Sequence, residues 1–187
     1  CLISAIAINA ETTVDITFKD QGYTNAQEIK SVNLDENIKV TFDKGSSTNE
    51  IKYYNTGTAI RLYAGNKMAI VGVDEGVTIR KVTLKVGSSN KLNSESTVTA
   101  GTLNNKTDVK PFISDINSNT VTLTQGGTSG HARIESMEVV YEVSAATQVA
   151  TPTITPNSGE ISVTDVISIS CATEGASIYY TIDGSVP

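Results

Sequence analysis

The chain is expected to be all-β, with a jelly-roll-like β-sandwich followed by the first half of an immunoglobulin-like β-sandwich. Three observations carry that expectation. Apolar and polar residues alternate with period two from Glu11 onward, as in strands that bury one face. The alternating segments are short and are separated by clusters of Gly, Ser, Asn and Asp, the spacing of sandwiches and barrels. No stretch carries a sustained i, i+3, i+4, i+7 apolar stripe.

Taken in order, residues 1–10 are apolar and uncharged and end in Ala10 before Glu11, which reads as the tail of a secretory signal peptide. Secretion or display at the cell surface follows as an expectation. A first strand from Leu2 to Ile8 and an acylated Cys1 are the competing readings. Val14, Ile16 and Phe18 then alternate, as do Ile38, Val40 and Phe42. Residues 25–34 are the one candidate for a helical turn. Strands at 60–63 and 68–71 flank the loop 64–67, read as a hairpin loop in which Gly65 suits positive φ. Val82, Leu84 and Val86 follow, then Val121 and Leu123, and last Met137, Val139, Tyr141 and Val143. Ile134 is out of phase with that last set, which predicts a β-bulge near Glu135-Ser136.

Composition changes at Ser144. Residues 145–150 read as a linker and 151–187 as a second domain. There Ile167, Ile169 and Cys171 alternate, and Ile178, Tyr180 and Ile182 form a further expected strand. Asp183-Gly184 after it is a turn signal that calls for a following strand, so this domain is expected to stop part-way. Cys171 is expected to be a buried, inert thiol within its strand. With Cys1 the only other cysteine, no disulfide framework is expected and the fold must rest on its core.

Charge and chemistry narrow the function classes. Lys+Arg is 14 against Asp+Glu 20, a net charge of -6, which disfavours nucleic-acid binding through a broad basic face. No apolar run approaches the ~18–20 residues of a membrane span. The single histidine, His131, is read as a solvent-facing side chain of a Gly/Ser loop, and no Gly-x-Ser-x-Gly elbow surrounds any serine. The acidic residues lie in turns or on outward strand positions, so no carboxylate pair for glycoside cleavage is singled out. Zinc spacing and a phosphate-binding loop are absent. No cofactor is expected, and structural calcium is the one metal left open, with Asp15 or Asp20 and Glu142 as its carboxylates.

Non-catalytic ligand binding remains. Sugar rings stack their CH faces on aromatic planes, and Tyr adds a hydroxyl. Tyr53 and Tyr54 are adjacent, so one faces inward and one outward, while Arg61 and Tyr63 lie on the next strand. A platform of Tyr53 or Tyr54 with Arg61 and Tyr63 is the candidate binding site. The competing reading is that these tyrosines belong to the core or its rim.

Two segments carry resemblances. The opening Thr151-Pro-Thr-Ile-Thr-Pro156 and the closing run with Ala176, Ile178, Tyr180, Thr181, Asp183, Gly184 and Pro187 resemble the chitobiase/β-hexosaminidase C-terminal-type β-sandwich. That resemblance implies an accessory, non-catalytic module of a secreted protein. Residues 11–143, through the stretches 54–66, 78–84 and 121–141, look like a jelly-roll module of secreted proteins of Gram-negative anaerobic bacteria. With the candidate platform, the expectation is a non-catalytic accessory module that contacts carbohydrate or matrix, its partner a polysaccharide or cell-surface glycan. The alternative is a structural spacer that presents a catalytic domain, a glycoside hydrolase, nuclease or peptidase, encoded further on.

Overall fold

The computed structural model describes residues 10–144, 150–157, 159–160, 162–174, 176–182 and 185. The signal-peptide reading for residues 1–10 therefore falls outside the described residues save for Ala10, which is exposed. The linker save for Ala150, the Asp183-Gly184 turn signal and Pro187 also fall outside them. Chain contacts divide the molecule into two compact units, 1–145 and 146–187.

The first unit is a sandwich of two antiparallel sheets. One sheet runs in the order β4 (Lys52–Tyr54), β5 (Ala59–Tyr63), β12 (His131–Val143), β7 (Val77–Val86), β10 (Phe112–Ser114), β9 (Thr102–Asn104), with β1 (Glu11–Thr17) also paired to β12. The other runs β2 (Ser31–Asn33), β3 (Ile38–Asp43), β6 (Lys67–Gly72), β11 (Thr120–Thr124), β8 (Thr97–Val98). After β3 the chain crosses repeatedly between the sheets. Buried residues of both form one continuous cluster, in which the Phe18 and Phe42 rings meet edge-on at 6.4 Å. Each fully buried Ile or Leu in it, such as Ile60, Leu62 or Ile134, contributes about 1.5–3 kcal/mol of transfer free energy.

Strand β12 organises its sheet. Along one edge it pairs with β5 through His131–Ile134 and with β1 through Ser136–Glu142, while β7 follows its other edge. The register slips between Ile134 and Ser136, leaving Glu135 as the extra residue of a bulge where the sequence pattern places it. The bulge resets the alternation, so that Ala132 and Ile134 before it and Met137, Val139 and Tyr141 after it all face the core. A second slip opposite Val140/Tyr141 leaves Arg80 of β7 as an extra residue and does the same for Val77 and Ile79 against Val82, Leu84 and Val86.

Three local expectations are corrected. The helical turn falls at Phe18–Asp20, not within 25–34. There Ala26 takes φ 64°, outside helical space, and the chain turns through Thr24–Gln27 into β2. Residues 64–67 do not close a hairpin, because β5 and β6 belong to different sheets and the loop carries the chain across the sandwich. Gly65 does take the left-handed φ of +86° there. His131 is not a loop residue but the first residue of β12.

The second unit is also all-β among its described residues. Strands β13 (Thr153–Thr155) and β14 (Ser168–Ser170) pair antiparallel. Cys171 lies just past β14, half-buried, and its thiol donates to the Ala150 carbonyl at 3.1 Å, so it is neither fully buried nor within the strand. Residues 178–182 form no strand, and Ile182 is 96% exposed. Ile154, Ile167, Ile169, Ile178, Tyr180 and Ile182 line an open groove of about 590 Å³.

Candidate functional site

The candidate residues lie at the sheet edge where β4, β5 and the N-terminal part of β12 run side by side. Alternation assigns their faces. In β4, Tyr53 is buried and its ring packs 5.6 Å from that of Tyr23, while Lys52 and Tyr54 are half-exposed. Burial pushes the Tyr23 phenol pKa up. In β5, Ile60 and Leu62 are buried and Arg61 and Tyr63 half-exposed; in β12, Ala132 and Ile134 are buried and His131 and Arg133 half-exposed. The structure thus gathers Tyr54, Arg61 and Tyr63 on the outer face and places Tyr53 in the core.

Register sets these side chains in rows. Lys52 stands opposite Arg61 and Arg61 opposite Arg133; Tyr63 stands opposite His131. The Arg61 guanidinium covers the Tyr54 ring, with Cζ 3.9 Å from its centroid, a cation–π contact that fixes both side chains. The Tyr63 hydroxyl beside it, and then burial, raise the Tyr54 phenol pKa. The Tyr63 and His131 rings meet at 5.3 Å, tilted by 47°. Arg133 lies across the β4–β5 turn, where Gly57 has φ +87° and a Cβ would press to 3.3 Å from the Arg133 side chain.

Three polar atoms in this cluster are shielded from solvent and have no hydrogen-bond partner among the described residues: Arg61 Nε, Arg133 Nε and His131 Nε2. Burial first, and then the Arg61 and Arg133 charges, lower the His131 pKa, which holds the imidazole neutral. No serine bonds His131 Nε2 among the described residues.

Loops at the end of the sandwich extend the site. Asn66, fully buried, ties the β5–β6 loop to the β3–β4 loop. Its Oδ1 accepts from the Tyr63 amide at 2.7 Å, and its Nδ2 donates to the Lys44 and Asn49 carbonyls, both at 2.9 Å. The Gly65 amide donates to the Gln125 carbonyl at 2.9 Å and Ala64 to Gly130 at 3.2 Å. Between the loops opens a cavity of about 460 Å³, walled by Ser46, Ser47, Thr48, Asn49, Tyr63 and His131 among others. Its size suits a small ligand, and hydroxyls and an amide dominate its wall.

The sequence alone does not mark Arg133 and His131 as ligand-binding. Alternation back from the bulge turns both outward, but their meeting with Arg61 and Tyr63 depends on the β5–β12 pairing, which the sequence does not display. The carboxylates considered for calcium stand apart. Glu142 bonds Arg80 at 2.7 Å, an interaction that lowers its pKa, and it faces Glu11, whereas Asp15 faces Glu138. Among the described residues no group of three or more His, Cys, Asp and Glu is placed to hold a metal ion. Nor, among them, is any helix long and apolar enough to cross a membrane.

Residues 156–187 match the model of the Chitobiase/beta-hexosaminidase C-terminal domain family, in agreement with the motif at the end of the chain. No curated protein and no solved structure matches the chain. The family match lies in the second unit and the Tyr54–Arg61–Tyr63 cluster in the first.

Proposed function

We propose that these residues form a non-catalytic accessory module of a secreted or cell-surface bacterial protein, and that the outer face of β4, β5 and β12 contacts carbohydrate. The observation that carries the reading is the preassembled cluster of Tyr54, Arg61 and Tyr63 beside a hydroxyl-lined cavity. Aromatic faces offer stacking to sugar CH groups, a fixed guanidinium donates to ring substituents, and the cavity wall offers hydroxyl and amide partners. The family match in the second unit supports the setting, because the family takes its name from enzymes that act on chitin-derived sugars. Affinity electrophoresis against a panel of polysaccharides tests the reading. Retardation by at least one polysaccharide, reduced in Tyr54→Ala and Tyr63→Ala, is expected. Unchanged retardation in both variants removes the site, and no retardation by any polysaccharide favours the structural-spacer alternative.

A further inference from the structure

We propose that the saccharide held by this face is anionic, with a carboxylate or sulfate group engaged by the Arg61 and Arg133 guanidiniums. The inference rests on the carbohydrate reading of the same face and adds the charge of the ligand.

The register is the first support. Lys52, Arg61 and Arg133 stand directly opposite one another on three adjacent strands, and like charges so placed repel. The chain holds more acidic than basic residues, 20 against 14, yet no carboxylate pairs with either arginine among the described residues. The nearby acids are committed elsewhere: Glu28 bonds Lys30, Glu50 bonds Lys30 at 3.3 Å, and Glu135 bonds Lys85 at 2.9 Å. Lys52 alone has a carboxylate across from it, that of Glu28.

The second support is how the arginines are held. Packing positions both, Arg61 by the Tyr54 ring and Arg133 by the approach to Gly57. Each Nε is shielded and has no partner among the described residues. Buried donors ordinarily find partners, so two facing arginines that each leave a donor unmet carry charge that the described residues do not balance. A planar guanidinium already ordered by stacking loses little entropy on binding and matches the two-oxygen edge of a carboxylate or sulfate. The third support is the adjoining cavity, whose Ser46, Ser47, Thr48 and Asn49 provide neutral partners for the remaining sugar hydroxyls.

The test uses the full chain in affinity gels containing polygalacturonate, a sulfated galactan, the matching neutral galactan, or poly-glutamate. Retardation by one or both acidic polysaccharides and not by the neutral one is expected. Which of the two acts tells carboxylate from sulfate. Salt should weaken the binding, and Arg133→Gln should weaken it roughly tenfold, the loss of one charge-assisted hydrogen bond. Arg61→Lys, which keeps the charge but not the fork, gives a second reading if Arg133→Gln does not fold. Equal retardation by neutral and sulfated galactan, unmoved by Arg133→Gln, overturns the anionic ligand and leaves the aromatic platform standing. Equal retardation by poly-glutamate overturns the saccharide in favour of charge alone. No retardation by any polymer overturns both readings.

Discussion

Replacing Asn66 by aspartate changes one atom type in a fully buried side chain and tests what holds the loops around the cavity. Asn66 Oδ1 keeps its role in the variant, because it accepts from the Tyr63 amide at 2.7 Å. The other side-chain atom does not. As Nδ2 it donates to the Lys44 and Asn49 carbonyls, each at 2.9 Å; as a carboxylate oxygen it faces the same two carbonyls with no proton to give. The fully buried side chain takes on a charge and two part-buried carbonyls lose their donor, and each such loss costs about 1–3 kcal/mol, so destabilisation of about 2–6 kcal/mol is expected at neutral pH. A proton on the introduced carboxyl restores one of the two bonds, so the penalty should shrink on acidification. Urea unfolding followed by far-UV circular dichroism at neutral and mildly acidic pH measures both effects. A loss under about 0.5 kcal/mol at neutral pH, the size of an ordinary surface change, would refute the role of Asn66 as the tie between the loops.

Deleting Glu135 removes the bulge and moves one half of β12 to the wrong face; loss of the folded β signal is expected, whereas Glu135→Ala, which removes only the half-exposed pair with Lys85, should cost about 1 kcal/mol or less by the same unfolding measurement. Tyr141→Phe removes the hydroxyl that donates to Asp35 Oδ2 at 2.6 Å and accepts from Asn37 Nδ2 at 3.2 Å, a link between β12 and the β2–β3 turn, and should cost about 1–2 kcal/mol in chemical denaturation. The His131 pKa is lowered in the folded chain, so the unfolded chain binds the extra proton first; stability should fall as pH drops below the ordinary histidine value of about 6.5, and His131→Gln should flatten that part of the profile of urea midpoint against pH. Ile134→Ala, in the centre of the core, should cost about 2–5 kcal/mol without altering the outer face, and a smaller loss would show that β12 does not carry the core.

Much of the first unit could be read from period-two alternation, because its strands bury one face. Ile38, Val40 and Phe42, or Val82, Leu84 and Val86, need no partner to be recognised as strand interiors. A phase break is equally legible: Ile134 against Met137 locates the bulge at Glu135, and Val77 and Ile79 against Val82 carry the same signal for Arg80. Alternation says that Tyr53 and Tyr54 face opposite ways, and Ile51, buried in phase with Tyr53, tells which goes in. Pairing is another matter. The loop at 64–67 has the residues of a tight connection, but loop chemistry sets local dihedrals and not whether the next strand joins the same sheet. The meeting of Arg61 with Arg133 and of Tyr63 with His131 is a long-range consequence of the β5–β12 register, so half of the cluster was illegible before the fold. In the second unit, Ile178, Tyr180 and Ile182 alternate as a strand would, yet a strand exists by its ladder and none of the described residues pairs with them.

The most direct test of the proposed carbohydrate-binding face is a nuclear magnetic resonance titration of the chain with an acidic oligosaccharide, following the side-chain Nε–H signals of arginine and the ring signals of tyrosine and histidine. The expected result is a saturable shift of Arg61, Arg133, Tyr54, Tyr63 and His131, with Arg80 and Tyr141 unmoved. Shifts centred elsewhere, or none for acidic and neutral oligosaccharides alike, would contradict the assignment of this face.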